Sequence, residues 1–350
     1  MPIDLKNLTQ PQLAAFFASV GLPASRVGHV FALVHRPAAR DFSGMKTVKK
    51  EIRGVLAEHA FISRLEPAKR QRSTDGTVKF AFRLDDGAII ESVLIPANGR
   101  HTLCVSSQAG CAMGCRFCLT ASMGFQRNLT PAEIVNQVVA VQEHMMGAGI
   151  VRATTRQLID NLVFMGMGEP LANYDNLIAA LTILMDGQAH GFSERRVTVS
   201  TCGLPSRIRD LARDIRVNLA VSLHSVDDAI RSALMPVNHA HGVDDVLAAC
   251  REYASAAKQV VFIEYALIAG FNDAVSDAHR LAEKLRGLPC RINLLAYNEV
   301  PNLPYRCSPE TSIRVFKGIL AKAGFRTLVR TSRGADISAA CGQLAVVEPS

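Results

Sequence analysis

Residues 111–118 read CAMGCRFC, placing Cys111, Cys115 and Cys118 at C-x3-C-x2-C spacing. Three thiolates this close can hold a metal or a cluster, and the spacing bears on which. A closed structural zinc site needs four ligands, usually as two separated pairs. A cubane iron–sulfur cluster has four irons, so three cysteines leave one iron without a protein ligand. A substrate or cofactor can coordinate there, as it does at the open position of a catalytic metal. Gly114, before the second ligand, lets the loop close tightly around an inorganic core. The competing reading is a zinc site with Cys104 as fourth ligand, and the sequence downstream argues against it.

Around this loop the chain alternates strand and helix. Strand candidates are TLCVSS (102–107), NLVFMG (161–166), RVTVST (196–201), NLAVSLH (218–224), VVFIEYALI (260–268) and RINLLAY (291–297), with a further one at RTLVRTS (326–332). The clearest helix between them is PAEIVNQVVAVQEHM, where Thr130 and Glu133 form a capping box and Pro131 takes the first helical position. Strands separated by helices predict an α/β fold with a parallel sheet, whose ligands gather at the C-terminal ends of the strands. The conspicuous motifs fall there: CAMGCRFC after the first strand, GMGEP after the second, Ser200 after the third, His224 after the fourth and Asn298 after the sixth.

Upstream, residues 1–75 read as short helices. LTQPQLAAFFASV has Thr9 as N-cap and Pro11 in its first turn, Gly21–Leu22–Pro23 ends it, and ASRVGHVFALVH begins another. KFAFRLDDGAIIESVLIP reads as a β-hairpin turning at Asp86–Gly87. The expected division is a helical domain at 1–75, a hairpin at 76–96, a core at 97–335 and a C-terminal segment at 336–350.

At 350 residues, 49% hydrophobic and 20% charged, the chain is globular and long enough for a large barrel with an appendage. Its most apolar stretch carries Glu264 and stops at Asn272–Asp273, short of a membrane span, and MPIDLKNL lacks the apolar core of a secretory signal. Nine cysteines, three of them in one loop, fit a reducing compartment, so the expected address is the cytoplasm. A net charge of +8 favours a polyanionic partner. Basic residues cluster at Arg36–Arg53 with Lys69, Arg70 and Arg72, again at Arg195–Arg216, and at Arg326, Arg330 and Arg333. That pattern points to RNA more than to plain solvated helix faces. Nothing in the sequence demands more than a monomer.

Gly166–Pro170, GMGEP, is a glycine turn where backbone can approach a ligand and Glu169 can accept hydrogen bonds from an ammonium group. Ser200, Ser222, Leu223, His224 and Asn298 offer hydroxyl, backbone and amide groups suited to a ribose and a carboxylate. Each alone is more often a structural residue at a strand end. Cys104 lies on the strand feeding the cluster loop, and Cys341 lies in RGADISAACGQL, a small-residue segment near the C-terminus. For either, and for Cys202, Cys250, Cys290 and Cys307, a buried inert thiol is the ordinary expectation.

The combination GCAMGCRFC, FMGMGEPLANYDN, RRVTVST, VSLH, INLLAYN and RGADISAACGQL resembles the bacterial radical S-adenosylmethionine (SAM) adenine methyltransferases of RNA, over nearly the whole chain. The resemblance implies a partial (β/α)6 TIM-like barrel behind a small helical domain and a hairpin. It implies a 4Fe–4S cluster on Cys111, Cys115 and Cys118, with SAM chelated near Gly168 and Glu169 and contacted by Ser200, Ser222, Leu223, His224 and Asn298. Two SAM are used per turnover. Cys341 takes a methyl group from the first by displacement. A 5′-deoxyadenosyl radical from the second removes hydrogen from that S-methyl group, and the methylene radical adds to adenine. Cys104 helps resolve the cross-link and leaves a disulfide, with Glu91 as proton acceptor. The partners implied are 23S rRNA, tRNA and an electron donor such as flavodoxin or ferredoxin. Two branches share this frame, one methylating C2 of adenine and one C8. Pro170 and RSTDGTVKF resemble the C2 branch. A radical SAM enzyme acting on protein or small molecules leaves the Cys104–Cys341 pair unexplained, and a non-enzymatic cluster or zinc protein binding RNA leaves GMGEP unexplained as well.

Overall fold

The computed structural model describes residues 2–37, 39–150, 158–300 and 303–345. The last five residues of the 336–350 segment lie outside them.

The N-terminal part holds β1 (Ile3–Asp4), α1 (Gln10–Ser19), α2 (Val27–Val34), α3 (Lys50–His59) and β2 (Ala60–Phe61). Thr9 precedes α1, and its backbone N–H donates to Gln12 Oε1 at 2.9 Å. Helices dominate as expected, but β1 and β2 pair in parallel and tie the two ends of this part together. A third strand, β3 (Pro67–Arg72), also falls within the stretch read as helical. Its charged sequence PAKRQR hides the strand, because an edge strand buries little and needs no apolar alternation.

Three antiparallel strands, β3, β4 (Val78–Arg83) and β5 (Ile89–Ala97), lead into β6 (Arg100–Cys104). The expected hairpin is β4–β5. The first motif then forms a small ribbon that the sequence did not disclose: β7 (Gln108–Gly110) pairs antiparallel with β8 (Phe125–Asn128), bracketing the three cysteines and the short helix α4 (Leu119–Ser122).

The remaining elements alternate: α5 (Pro131–Gly147), β9 (Asn161–Phe164), α6 (Tyr174–Met185), β10 (Val197–Thr201), α7 (Pro205–Asp214), β11 (Asn218–Ser222), α8 (Asp228–Leu234), α9 (Val243–Ala257), β12 (Val261–Leu267), α10 (Val275–Lys284), β13 (Cys290–Ala296), α11 (Glu310–Lys322) and β14 (Thr327–Arg330). One ten-stranded sheet runs β14-β13-β12-β11-β10-β9-β6-β5-β4-β3. From β6 to β14 every neighbouring pair is parallel, the parallel sheet expected from the alternation and the core of the barrel that the resemblance implies. Strands buried on both faces carry near-continuous apolar runs, as Leu219–Val221 and Ile292–Leu294 illustrate with Asn293 as the one polar insertion. At α5 the capping box forms, with Glu133 N–H donating to Thr130 Oγ1 at 3.2 Å and Thr130 N–H to Glu133 Oε2 at 2.8 Å.

The N-terminal part is fastened to the barrel partly through Lys6. Its side chain is fully buried, and Nζ donates to Asn136 Oδ1 on α5 at 2.7 Å. Burial lowers the ammonium from 10.5 to about 8, with Asp4 and Glu143 opposing and Arg64 adding. The folded state therefore resists the charged form. Below pH 8 that cost is fully present, and it fades as pH rises from about 8 to 10.5, because the unfolded chain then holds the proton longer than the folded one. Lys6→Met should remove this dependence, so the stability difference between variant and wild type should shrink by roughly 2–3 kcal/mol between pH 7.5 and 10.5. Urea titrations at a series of pH values measure it, and a constant difference would refute the account.

A candidate radical SAM centre

A cavity of about 190 Å³, open to solvent, lies at the C-terminal ends of the parallel strands. Cys111, Cys115 and Cys118 all line it. Their loop is anchored at both ends: Cys111 N–H donates to Gly124 O at 2.9 Å and Arg116 N–H to Leu234 O at 2.9 Å. Burial pushes the Cys111 thiol up to about 11 and raises Cys115 further. Among the described residues no three His, Cys, Asp or Glu side chains converge tightly enough for a single ion. The donor set is therefore judged by its chemistry, three thiols from one loop, which is that of an iron–sulfur cluster. Cys104, the fourth ligand of the zinc alternative, instead has the Cys341 thiol near it.

Opposite the loop, Gly168 has φ +97, and an added Cβ would fall 2.4 Å from Gln108 Cβ, so only glycine lets GMGEP lie against β7. Glu169 is buried beside it. Its Oε1 accepts Leu171 N–H at 3.0 Å and its Oε2 accepts Cys202 N–H at 2.8 Å. Burial raises this carboxyl and the two backbone donors oppose the shift. The Cys202 and Thr201 side chains also donate to it, so the carboxylate is held in place at the cavity wall.

Ser200, Ser222, His224 and Asn298 also line the cavity. His224 has φ +57, and its Nδ1 accepts Ala266 N–H at 2.9 Å, which leaves Nε2 as the protonated nitrogen. Burial lowers this imidazole to about 3, with Arg231 adding, so it stays neutral. Leu223 is different: its side chain is buried in the core and its carbonyl accepts Arg231 Nε–H at 3.1 Å. Arg231, itself fully buried, ties the floor together by also donating to Cys202 O at 2.6 Å and Asn238 Oδ1 at 2.6 Å. Asn298 is already engaged, since its Nδ2 donates to Cys341 O at 3.0 Å and its Oδ1 accepts from Ser332 Oγ.

Cys341 lines the same cavity as the cluster cysteines. The residue is exposed on the cavity wall, and desolvation raises its thiol, with Glu264 adding and Arg330 opposing. Cys104 is buried at the end of β6, and its thiol is pushed well up by burial and then by Cys341, with the Met165 N–H opposing. The fold thus makes neighbours of two cysteines from opposite ends of the core. Glu91 lies on β5, away from the cavity lining. Its Oε1 is 3.1 Å from Lys79 Nζ, while Oε2 makes no full hydrogen bond. Burial raises this carboxyl, with Lys79 and the backbone of Ala345 opposing.

Two cavity residues escaped the sequence reading. Glu264 lies within β12, buried, accepting Asn293 Nδ2 at 2.7 Å. An acid inside an apolar strand was the available signal. Cys202, read as inert, lines the cavity between Glu169 and Arg231. The basic clusters also separate. Much of the Arg195–Arg216 group is ion-paired, Arg207 and Arg213 with Asp210 and Arg209 with Glu252, so it is largely a solvated helix face. Lys46, Lys49, Lys50, Arg326 and Arg330 are exposed. No helix among the described residues is long and apolar enough to cross a membrane.

Comparison with known proteins agrees with this geometry. The family model for the radical SAM superfamily matches residues 105–282, and that for the ribosomal RNA large subunit methyltransferase N-terminal domain matches residues 3–62. The chain is 46% identical over 346 residues to the dual-specificity RNA methyltransferase RlmN of Desulfotalea psychrophila, covering 99% of this chain and 96% of that one. It is 44% identical over 342 residues to the RlmN of Pelobacter propionicus, covering 97% and 95%. A radical SAM methyltransferase from Sphaerobacter thermophilus superposes with a TM-score of 0.90 at 42% identity, covering 98% of this chain and 99% of that chain. Radical SAM proteins carry a 4Fe–4S cluster and SAM, and the thiol trio facing Glu169 across one cavity fits both. The chain is a radical SAM methyltransferase and belongs to the RlmN family.

Proposed function

We propose that the chain methylates C2 of adenine in 23S rRNA and in tRNA, using Cys341 as the methyl carrier. The observation that carries this reading is Cys341 on the wall of the cluster cavity with Cys104 as its neighbour. Adenine C2 is electron-poor and does not displace a sulfonium methyl, so a carrier thiol and a radical step answer the chemistry. When bound, the cluster and SAM supply a 5′-deoxyadenosyl radical. Cys111, Cys115 and Cys118 hold the cluster. Glu169 takes the SAM ammonium, and neutral His224 donates from Nε2 to an acceptor of the nucleoside.

Cys341 accepts a methyl group from one SAM by displacement, and a second SAM is consumed in activating it. After the methylene radical has joined adenine, the adduct gives up one electron, which would return to the cluster, and its C2 proton. Cys104 as thiolate then attacks the Cys341 sulfur, forming a disulfide, and the released carbanion takes up a proton as the methyl group. Glu91 receives the proton lost from the adduct, reached through the C-terminal segment rather than through the cavity lining. A one-electron donor of the flavodoxin or ferredoxin class and a thiol reductant complete the cycle. The target base leaves its stack to enter the cavity. Phosphates around it are held by the groove of Arg40, Lys50 and Arg53 in the N-terminal part and by Arg326 and Arg330. The protein works as a monomer in the cytoplasm.

Nucleoside mass spectrometry on rRNA and tRNA from cells with and without the protein tests the reading. Loss of 2-methyladenosine from both RNAs is expected. Loss of 8-methyladenosine instead would move the activity to C8, and no change in either would refute an adenine substrate.

A further inference from the structure

The turn joining β3 to β4, Ser73–Thr77, reaches across to the segment that carries Cys341. Ser73 Oγ donates to Asp336 Oδ1 at 2.6 Å, and Thr74 N–H donates to Oδ2 of the same carboxylate at 3.1 Å. In return, Asp75 Oδ2 accepts Gly334 N–H at 3.0 Å. Lys79 Nζ, just inside β4, donates to Ser338 O at 3.2 Å. Gly334 has φ +65, and an added Cβ would fall 2.8 Å from Ala339 Cβ and 2.9 Å from Thr77 Cγ2. The two chains interlock there without room for a side chain.

Two carboxylates, one from each partner and each answered by backbone N–H groups, fix both the position and the rotation of residues 334–338. Beyond Cys341 a second set of bonds holds the segment: Leu119 N–H to Gly342 O at 2.8 Å and Thr120 Oγ1 to Leu344 O at 2.7 Å. Cys341 therefore sits between two moorings, with its own carbonyl accepting from Asn298 Nδ2 at 3.0 Å. None of residues 73–77 lines the cavity. They face no reacting group, and their bonds go to the segment bearing the thiol.

We propose that Asp75 and Asp336 are positioning residues for Cys341, the Ser73–Thr77 turn acting as a clasp that seats the thiol toward both the cavity and Cys104. The proposal rests on Cys341 being the methyl carrier. Displacement requires the sulfur within about 3–3.5 Å of the methyl group, and a misplacement of about 1 Å costs on the order of 10²-fold.

The test uses the cluster-loaded full chain with Asp336→Ala, Asp336→Asn, Asp75→Ala and Gly334→Val. Two quantities are read: S-methylation of Cys341 by peptide mass, and the equilibrium of the Cys104–Cys341 disulfide against a glutathione buffer. Asp336→Ala should slow methylation by about 10²-fold and lower the effective concentration of the thiol pair about tenfold. Uncoupled cleavage of SAM and cluster content should stay near wild type. Asp336→Asn, which keeps an acceptor for Thr74 N–H, should recover most of both. The clasp is refuted if Asp336→Ala and Gly334→Val match wild type in both readouts, or if cluster content and SAM cleavage fall in step with them. A wild type that never methylates Cys341 sinks the carrier reading instead, and the disulfide equilibrium still decides the clasp.

Discussion

Cys341→Ala should reduce RNA methylation by more than about 10³-fold while leaving SAM cleavage partly intact. The asymmetry follows from where the residue sits. Its carbonyl, held by Asn298 Nδ2 at 3.0 Å, keeps its place when only the thiol is removed, so the segment stays docked. Cys111, Cys115, Cys118 and Glu169 are untouched, and with them the means of binding and cleaving SAM. What disappears is the atom that carries the carbon. Product RNA and 5′-deoxyadenosine, measured in one reaction by mass spectrometry, separate the two. Methylated RNA formed at a substantial rate would rule out the carrier role.

The second large effect is an accumulation. Cys104→Ala removes the thiol that breaks the bond between Cys341 and the alkylated adenine, so a covalent protein–RNA adduct should build up to a substantial fraction of the enzyme. In the native protein Cys104 is buried beside Cys341, and the Met165 N–H faces its sulfur. Solvent has poor access to act in its place. A denaturing gel should show a slow band that collapses on nuclease treatment and that is lost in the Cys104→Ala, Cys341→Ala double variant. A Cys104→Ala enzyme that turns over without any such band would place the resolving step elsewhere.

The parallel half of the fold was legible because strands buried on both faces leave apolar runs of fixed length between helices. NLAVSLH and RINLLAY announce β11 and β13 in that way. The cluster loop was legible because its chemistry is concentrated in adjacent residues. Less legible were the parts whose stability comes from distant partners. β3 is an edge strand with charged side chains, so no periodicity marks it. The β7–β8 ribbon is held by pairing across the whole cysteine loop, and neither half is apolar enough to signal alone. Asn298 was read as a ligand contact from its place after a strand, whereas its amide holds the Cys341 backbone. Leu223 was read as a backbone contact; its side chain is buried in the core and its carbonyl accepts from Arg231. For both residues the partners that hold them in the fold lie outside the strand end on which they were read.

The bond from Ser73 to Asp336 spans 263 positions. The turn leaves the ribosome well before its partner. Until residues 334–338 have been made, the barrel can gather β3 to β13 with the cysteine loop already in place and no carrier thiol in the cavity. Closure over so long a span comes late in folding, after the shorter-range pairings of the sheet. A chain stalled or clipped shortly before residue 334 would then be a folded body with its three cluster thiols and no means of transferring a carbon. The order of translation thus makes competence for methyl transfer arrive after the barrel that will house it.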